Sequence, residues 1–311
     1  MAQLVSIIIP TYKRASALPQ AISSVKAQTY SNWELLIVDD NHPESVERLE
    51  TERVMAGFTD DANIRYIQHE KNLGACTARN TGLDHASGIY VAYLDDDDLW
   101  HQEKLEKQVN ALLASQVSFC YSDMELSYQG RIKYFSCVPD KNLYLRLLNQ
   151  GFGICTSALL IKREALNAIG GFDDSLPSMQ DYDLLLRLSK AFDAVHIPEA
   201  LLIYQLAEDG ISCNPDSKVK GHQGIINKYQ AEYLSLGLHK GLSRQFESLG
   251  DFQLRSSQRI KAISSYWKGL CLSPFNPRLL CKLLIGGLCG KKPLESYLQY
   301  RQDKSSKKVS E

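Results

Sequence analysis

The chain has 311 residues, 44% of them hydrophobic and 23% charged, with a formal net charge of −1. That is enough apolar material for a real core and for one large domain or two. It excludes a disordered polyelectrolyte, and the global charge gives no sign of a nucleic-acid partner.

Residues 5–9 are a continuous apolar run, expected as a strand buried on both faces. Ser16 is placed to cap a helix in which Leu18, Ala21, Ile22 and Val25 recur at helical spacing, with Pro19 in its first turn. Residues 33–38 and 64–68 read as further strands, 75–85 as a helix closed by Gly88, and 89–94 as a fourth strand. A helix over 103–114 and a strand over 117–121 follow. This alternation predicts a mostly parallel sheet with helices on both faces. From about 125 the pattern changes: a hairpin turn at 127–130, a strand over 154–161, a short helix stopped by Gly170-Gly171, and a helix over 180–190. Beyond Asn214 the chain reads as mostly helical to about 302, with turns near Gly237, Gly250 and 274–277; residues 250–277 could form one helix-turn-helix unit.

The eight cysteines contain no C-x-x-C pair and no zinc-like spacing, so they read as small buried side chains in a reducing cytosol. The first residues run straight into a strand pattern without a signal-length apolar stretch, and no run is long enough to span a bilayer.

Ligands in parallel sheets bind at the carboxyl ends of the strands. Three strands end in chemically loaded residues: Pro10-Thr11-Tyr12-Lys13-Arg14, Asp39-Asp40-Asn41 and Asp95-Asp96-Asp97-Asp98. In a parallel sheet these share one rim. Two carboxylates ~5 Å apart repel by roughly 3 kcal/mol at an effective dielectric near 20. Four in succession beside Leu94 and Leu99-Trp100 therefore call for protonation or for a cation. Mg²⁺ or Mn²⁺, which take carboxylate and diphosphate oxygens together, suit such a place. Asn72-Leu73-Gly74 offers backbone approach without a Cβ. Arg79, one turn into the next helix, could reach a carboxylate or diphosphate. Read without context, the acidic run is equally a solvated turn, Asp39-Asp40-Asn41 turn chemistry, and Arg79 a helix-surface arginine.

The motifs named so far, in order, resemble the family-2 glycosyltransferases of the GT-A fold. Gln28-Thr29-Tyr30, Ala78-Arg79-Asn80-Thr81-Gly82-Leu83, Gly170-Gly171-Phe172-Asp173 and Gln180-Asp181-Tyr182-Asp183 belong to the same series, which covers residues 4–212. The resemblance implies an α/β, Rossmann-like mixed sheet flanked by helices. Its glycosyltransferase domain would take residues 1–213, with a nucleotide-sugar half at 1–125 and an acceptor half at 126–213. Residues 214–311 would be a helical C-terminal extension. It implies inverting transfer from a nucleotide-diphosphate sugar, most commonly a UDP-linked one, to a saccharide or lipid-linked saccharide. Donor contacts fall to Pro10, Tyr12, Arg14, Asp40, Asn72, Gly74, Arg79, Asp95 and Asp96. Asp97 and Asp95 take the metal positions, and Asp181 that of the catalytic base, in a motif where Gln180 replaces the usual Glu. The family often carries a Tyr-Arg-x-His stretch; here Gln205 and Ala207 occupy its Arg and His places, with Glu208 and Asp209 as nearby acidic substitutes. A nucleotidyltransferase is disfavoured because no Gly-rich basic loop follows the first strand. A dehydrogenase is disfavoured because no G-x-G-x-x-G does. A non-catalytic donor-binding or scaffold protein of the same fold is the other alternative.

From Arg255 to the end there are twelve Lys/Arg against three acidic residues, so this stretch carries +9. Leu279, Leu280, Leu283, Leu284 and Ile285, flanked by Arg278, Lys282, Lys291 and Lys292, fit two descriptions. One is a helix lying on an anionic membrane, making the protein a cytoplasmic one in peripheral contact with the inner face; the other is a helical packing module with a solvated basic face.

Overall fold

A computed structural model describes residues 3–137, 142–150, 153–205 and 214–286. They fall into two compact units, the first drawn from 1–144, 152–175 and 180–208 and the second from 145–151, 176–179 and 209–311.

The first unit is built on a nine-stranded mixed sheet. Its parallel part has the order β3 (Ile64–Gln68), β2 (Trp33–Asp39), β1 (Val5–Thr11), β4 (Tyr90–Tyr93). The apolar runs explain this placement: Val5, Ile7, Ile8 and Ile9 of β1 and Leu35 to Val38 of β2 are wholly buried. Each such side chain contributes roughly 1.5–3 kcal/mol of burial free energy. β8 (Leu159–Lys162) runs antiparallel between β4 and β6 (Phe119–Tyr128). β7 (Arg131–Phe135) forms a hairpin on β6 across the expected turn, where Gln129 and Gly130 both have positive φ. β9 (Ala194–Gln205) lies parallel to β6, and the two-residue β5 (Leu99–Trp100) pairs with its end.

The helices of this unit are α1 (Leu18–Lys26), α2 (Val46–Met55), α3 (Ala75–His85), α4 (Lys104–Ser115), α6 (Arg163–Ile169) and α7 (Gln180–Ala191). A further helix, α5 (Leu143–Gln150), starts in the first unit and ends in the second. In α1 the four residues at helical spacing are the buried ones, but its N-cap is Ala17 rather than Ser16, with no side-chain cap bond. α2 has no counterpart in the sequence reading. Its Ser45 cap accepts the Arg48 N–H at 3.1 Å. Its apolar periodicity is faint, because Arg48 is one of its inward-facing residues. The strand expected over 154–161 is half a 3₁₀ turn, Thr156–Ala158, followed by β8. β9 has no counterpart in the sequence pattern, because Pro198 lies inside it. The ladder absorbs the proline in a bulge, stepping from Ser122↔Ile197 to Asp123↔Ala200.

The second unit is helical: α8 (Pro215–Ser235), α9 (His239–Arg255), α10 (Arg259–Leu272) and α11 (Pro277–Leu284). Asn214 and Asn276 cap α8 and α11 with their side chains. Leu254, Ala262, Tyr266 and Leu279 form its buried cluster. Two expectations fail here. Gly250 is not a turn but lies inside α9, where a Cβ would come 2.4 Å from the Tyr266 ring. Lys282 does not flank a membrane face. It is buried and pairs with Glu247 at 2.7 Å and Asp251 at 2.5 Å. Among the described cysteines Cys76, Cys120, Cys137 and Cys155 are buried as expected, whereas Cys271 is exposed. Among the described residues no helix is long and apolar enough to cross a membrane.

Candidate active site

The parallel register brings the ends of β1, β2 and β4 to one edge, and hydrogen bonds join them. The Thr11 hydroxyl, on the strand of Pro10, donates to Asp96 Oδ2 at 2.8 Å. The Asp40 N–H donates to the Thr11 carbonyl at 2.9 Å. Tyr12, just past β1, is 42% exposed, with the Lys13 ammonium over its ring at 5.3 Å.

The four aspartates divide by alternation. The Asp96 side chain is 8% exposed and Asp98 is wholly buried, whereas the side chains of Asp95 and Asp97 are 32% and 23% exposed. Asp98 is an inward anchor: the Ser157 hydroxyl donates to it at 2.7 Å and the Gln205 N–H at 3.1 Å. Ser157 also accepts the Asp95 N–H at 3.1 Å, and its carbonyl accepts Trp100 Nε1–H at 2.9 Å. Burial pushes the Asp98 carboxyl well above its ordinary range and Asp96 up to about 7, against the Thr11 bond and the Arg14 charge. Asp97 is also raised by burial, opposed by Arg14. Arg14 Nη1 donates to Asp97 and lies 3.4 Å from Asp96 Oδ1. Two outward carboxylates, each satisfied by an arginine, are therefore the ones that could hold a cation. Among the described residues no group of three His, Cys, Asp or Glu side chains could do so by itself.

Arg79 connects this edge to α7. Its Nη2 donates to Asp95 at 2.5 Å, its Nη1 to Gln180 Oε1 at 3.2 Å, and its guanidinium lies 5.2 Å from the Phe172 ring. Burial works against the Arg79 charge, and Asp95 and, more weakly, Asp181 sustain it. Burial, then the charges of Asp98, Asp95 and Asp181, raise the Tyr204 hydroxyl. Asp181 thus shares an electrostatic neighbourhood with the acidic strand end. Its Oδ1 accepts the Tyr182 N–H at 2.9 Å. Asp183 is turned away and buried, paired at 2.7 Å with Arg187, which holds the carbonyls of Ile169 and Gly171.

Asp40 is the predicted residue whose surroundings are least like its expected ones. It is buried, and its carboxylate accepts the N–H groups of Leu73 at 2.7 Å and Gly74 at 2.8 Å, with His69 Nδ1 at 2.8 Å. Asn72 Nδ2 donates to its carbonyl at 3.3 Å. Gly74 has φ +88°, a conformation L side chains rarely adopt, and begins α3. Asp40 therefore builds the 72–74 loop. Asp39 is tied back by Asn41, Tyr66 and Arg48. His69 and Ser157 meet the site only through non-local contacts and carry no sequence signal, whereas Tyr204 opens the stretch that stands in for the family's Tyr-Arg-x-His. Ala207, Glu208 and Asp209 lie outside the described residues.

A parallel half-sheet whose strand ends gather an exposed tyrosine, a carboxylate run and two arginines, joined to a mixed half, defines a glycosyltransferase of the GT-A fold. The same architecture occurs in residues 1–349 of S. aureus TarS in complex with UDP-GlcNAc, with a TM-score of 0.60, 15% identity, and 91% of this chain and 92% of that one covered. The chain belongs to glycosyl transferase family 2, whose profile matches residues 6–170. Over 266 residues it is 33% identical to the Escherichia coli UDP-Glc:alpha-D-GlcNAc-diphosphoundecaprenol beta-1,3-glucosyltransferase WfgD, covering 85% of this chain and 92% of that protein. It is 36% identical over 208 residues to an uncharacterised glycosyltransferase of Rickettsia felis, covering 64% of this chain but spanning only 33% of that relative's length.

Proposed function

We propose that the protein moves a hexosyl or related sugar from a UDP-linked donor to a hydroxyl of a lipid-linked saccharide, with inversion at the anomeric carbon, in the assembly of a cell-envelope glycan. The observation that carries this reading is the alternation at Asp95–Asp98, with Asp181 linked to it through Arg79 and Gln180. The E. coli relative, with its UDP-Glc donor and diphosphoundecaprenol-linked acceptor, supports the substrate classes.

Mg²⁺ or Mn²⁺ fits the residues present. Asp95 and Asp97 are hard oxygen donors with partly exposed carboxylates, and two protein ligands suit an ion that completes its shell with phosphate and water. When bound, the ion supplies charge neutralisation to the departing diphosphate. Arg14 and Arg79 bring further positive charge to the same edge. Tyr12 offers a face for the base, next to Pro10. Asp40 orders the backbone of Asn72, Leu73 and Gly74, so that the loop meets the donor without rearrangement. Asp96 holds the strand ends together through Thr11. Asp181 takes the proton from the acceptor hydroxyl as that oxygen attacks. Peripheral membrane contact belongs to the same reading.

The test uses the full chain with UDP-glucose and a diphosphate-lipid saccharide acceptor, with and without Mn²⁺. Asp181→Asn is expected to abolish transfer while donor binding, followed by calorimetry, persists. Asp97→Ala is expected to weaken the Mn²⁺-dependent part of donor binding. Product NMR reads the anomeric configuration. Undiminished transfer by Asp181→Asn removes it as the base, and retention of configuration overturns the single displacement.

A further inference from the structure

Helix α10 has two unlike faces. Ala262, Ser265, Tyr266 and Gly269 are buried. Ile260 and Trp267, seven residues apart and so on one stripe, are 85% and 59% exposed. The turn that follows presents Phe275 at 98% exposure, and α11 exposes Leu280 and Leu284 one turn apart. Five large apolar side chains on neighbouring segments of the second unit are thus left in water, among them two aromatics.

The charge around them has one sign. Lys261 and Lys268 each follow one of the exposed α10 residues, so they border the stripe. From Phe252 to Leu294 the sequence contains no Asp or Glu, against Arg255, Arg259, Lys261, Lys268, Arg278, Lys291 and Lys292 besides the buried Lys282. Glu247 and Asp251 of α9, which meet this stretch, are engaged with Arg278 and Lys282. A second copy docking by the same face would set like charges against one another. A polyanionic surface with an apolar interior satisfies both features at once. Tryptophan and phenylalanine enter its interfacial region while lysines stay at its headgroups.

We infer that the exposed face of α10 and α11, centred on Ile260, Trp267 and Phe275, docks on an anionic lipid bilayer. It extends the lipid-linked-acceptor reading, but its test needs no sugar transfer, so the two can fail separately.

The full chain is mixed with vesicles of phosphatidylcholine containing about a third phosphatidylglycerol, and with phosphatidylcholine alone. Of the three tryptophans, Trp33 and Trp100 are buried, so a lipid-dependent change in emission reports Trp267. Co-sedimentation with the anionic vesicles, weakened by salt, and quenching of the emission by brominated lipid are expected. Ile260→Ser with Phe275→Ser should lower partitioning by roughly tenfold or more. Lys261→Glu with Lys268→Glu should remove the preference for anionic lipid. Trp267→Phe should keep binding and lose the quenching. These positions are exposed, so thermal midpoints should hold and separate a docking defect from misfolding. Absence of vesicle binding, binding that none of these variants alters, or self-association in lipid-free buffer that Ile260→Ser with Phe275→Ser abolishes would each overturn the inference.

Discussion

Replacing Arg79 by lysine tests whether the link between β4 and α7 positions the chemistry or only stabilises the fold. The guanidinium reaches Asp95 and Gln180 with different nitrogens and lies over Phe172. An ammonium is a point charge and cannot reproduce that fork. It is expected to keep Asp95 and release Gln180. A hydrogen bond to a charged group contributes about 1.5–3 kcal/mol, and a partly desolvated cation over a ring about 0.5–2 kcal/mol. A loss of roughly 2–5 kcal/mol follows. If the link sets Asp181 against the donor, that loss appears in the transition state as a fall in kcat/KM of roughly 30- to 5,000-fold. Most of it should fall in kcat, since Arg14 remains at the donor edge. The assay is steady-state transfer with kcat and KM resolved, beside thermal unfolding of the same samples. A variant whose midpoint drops while kcat/KM stays within about threefold of the parent would show Arg79 to be a structural strut, refuting the positioning argument.

Lys104 is wholly buried, with its ammonium 2.6 Å from Gln108 Oε1 and 4.0 Å from the Trp100 ring, and burial pushes its pKa down to about 7. The unfolded chain holds this proton up to about 10.4, so the penalty is full below pH 7 and is relieved as pH rises toward 10. Lys104→Met is therefore expected to be more stable than the parent by roughly 2–4 kcal/mol at pH 6, with the gap closing toward pH 10; denaturant titrations at several pH values check it. In an open helix Gly→Ala gains about 1 kcal/mol, but Gly250→Ala drives a Cβ into the Tyr266 ring and should cost about 1–3 kcal/mol instead. A raised melting temperature for Gly250→Ala would contradict the packing of α9 on α10.

The parallel strands were legible because long apolar runs have few other homes, and the three loaded strand ends followed from the direction of those strands. The motif series was equally visible. Three things were not. The inner face of α2 carries Arg48, whose Nη2 meets the carbonyls of Asp39, Asn41 and His69, so a charged residue occupies what pattern reading expects to be apolar. The Asp40 carboxylate is committed to backbone N–H groups more than thirty residues away, a non-local match no periodicity encodes. The leucine run of α11 divides in a way its sequence does not show: Leu280 and Leu284 stay exposed, Leu279 and Lys282 turn inward, and the more exposed Ile260 and Trp267 lie on α10. A lysine reads as surface until its acidic partners are known.

The alternation within Asp95–Asp98 also bears on speed. Because Ser157, Thr11 and Gln205 pin the inward pair, the backbone carrying the outward pair is already in its final shape. A newcomer that competes with Arg14 for Asp97 needs only rotations about side-chain bonds, which take picoseconds to nanoseconds, and no refolding of the strand end. Loading and unloading of this edge should then be limited by ligand exchange on the incoming ion, leaving no slow conformational phase in a rapid-mixing trace.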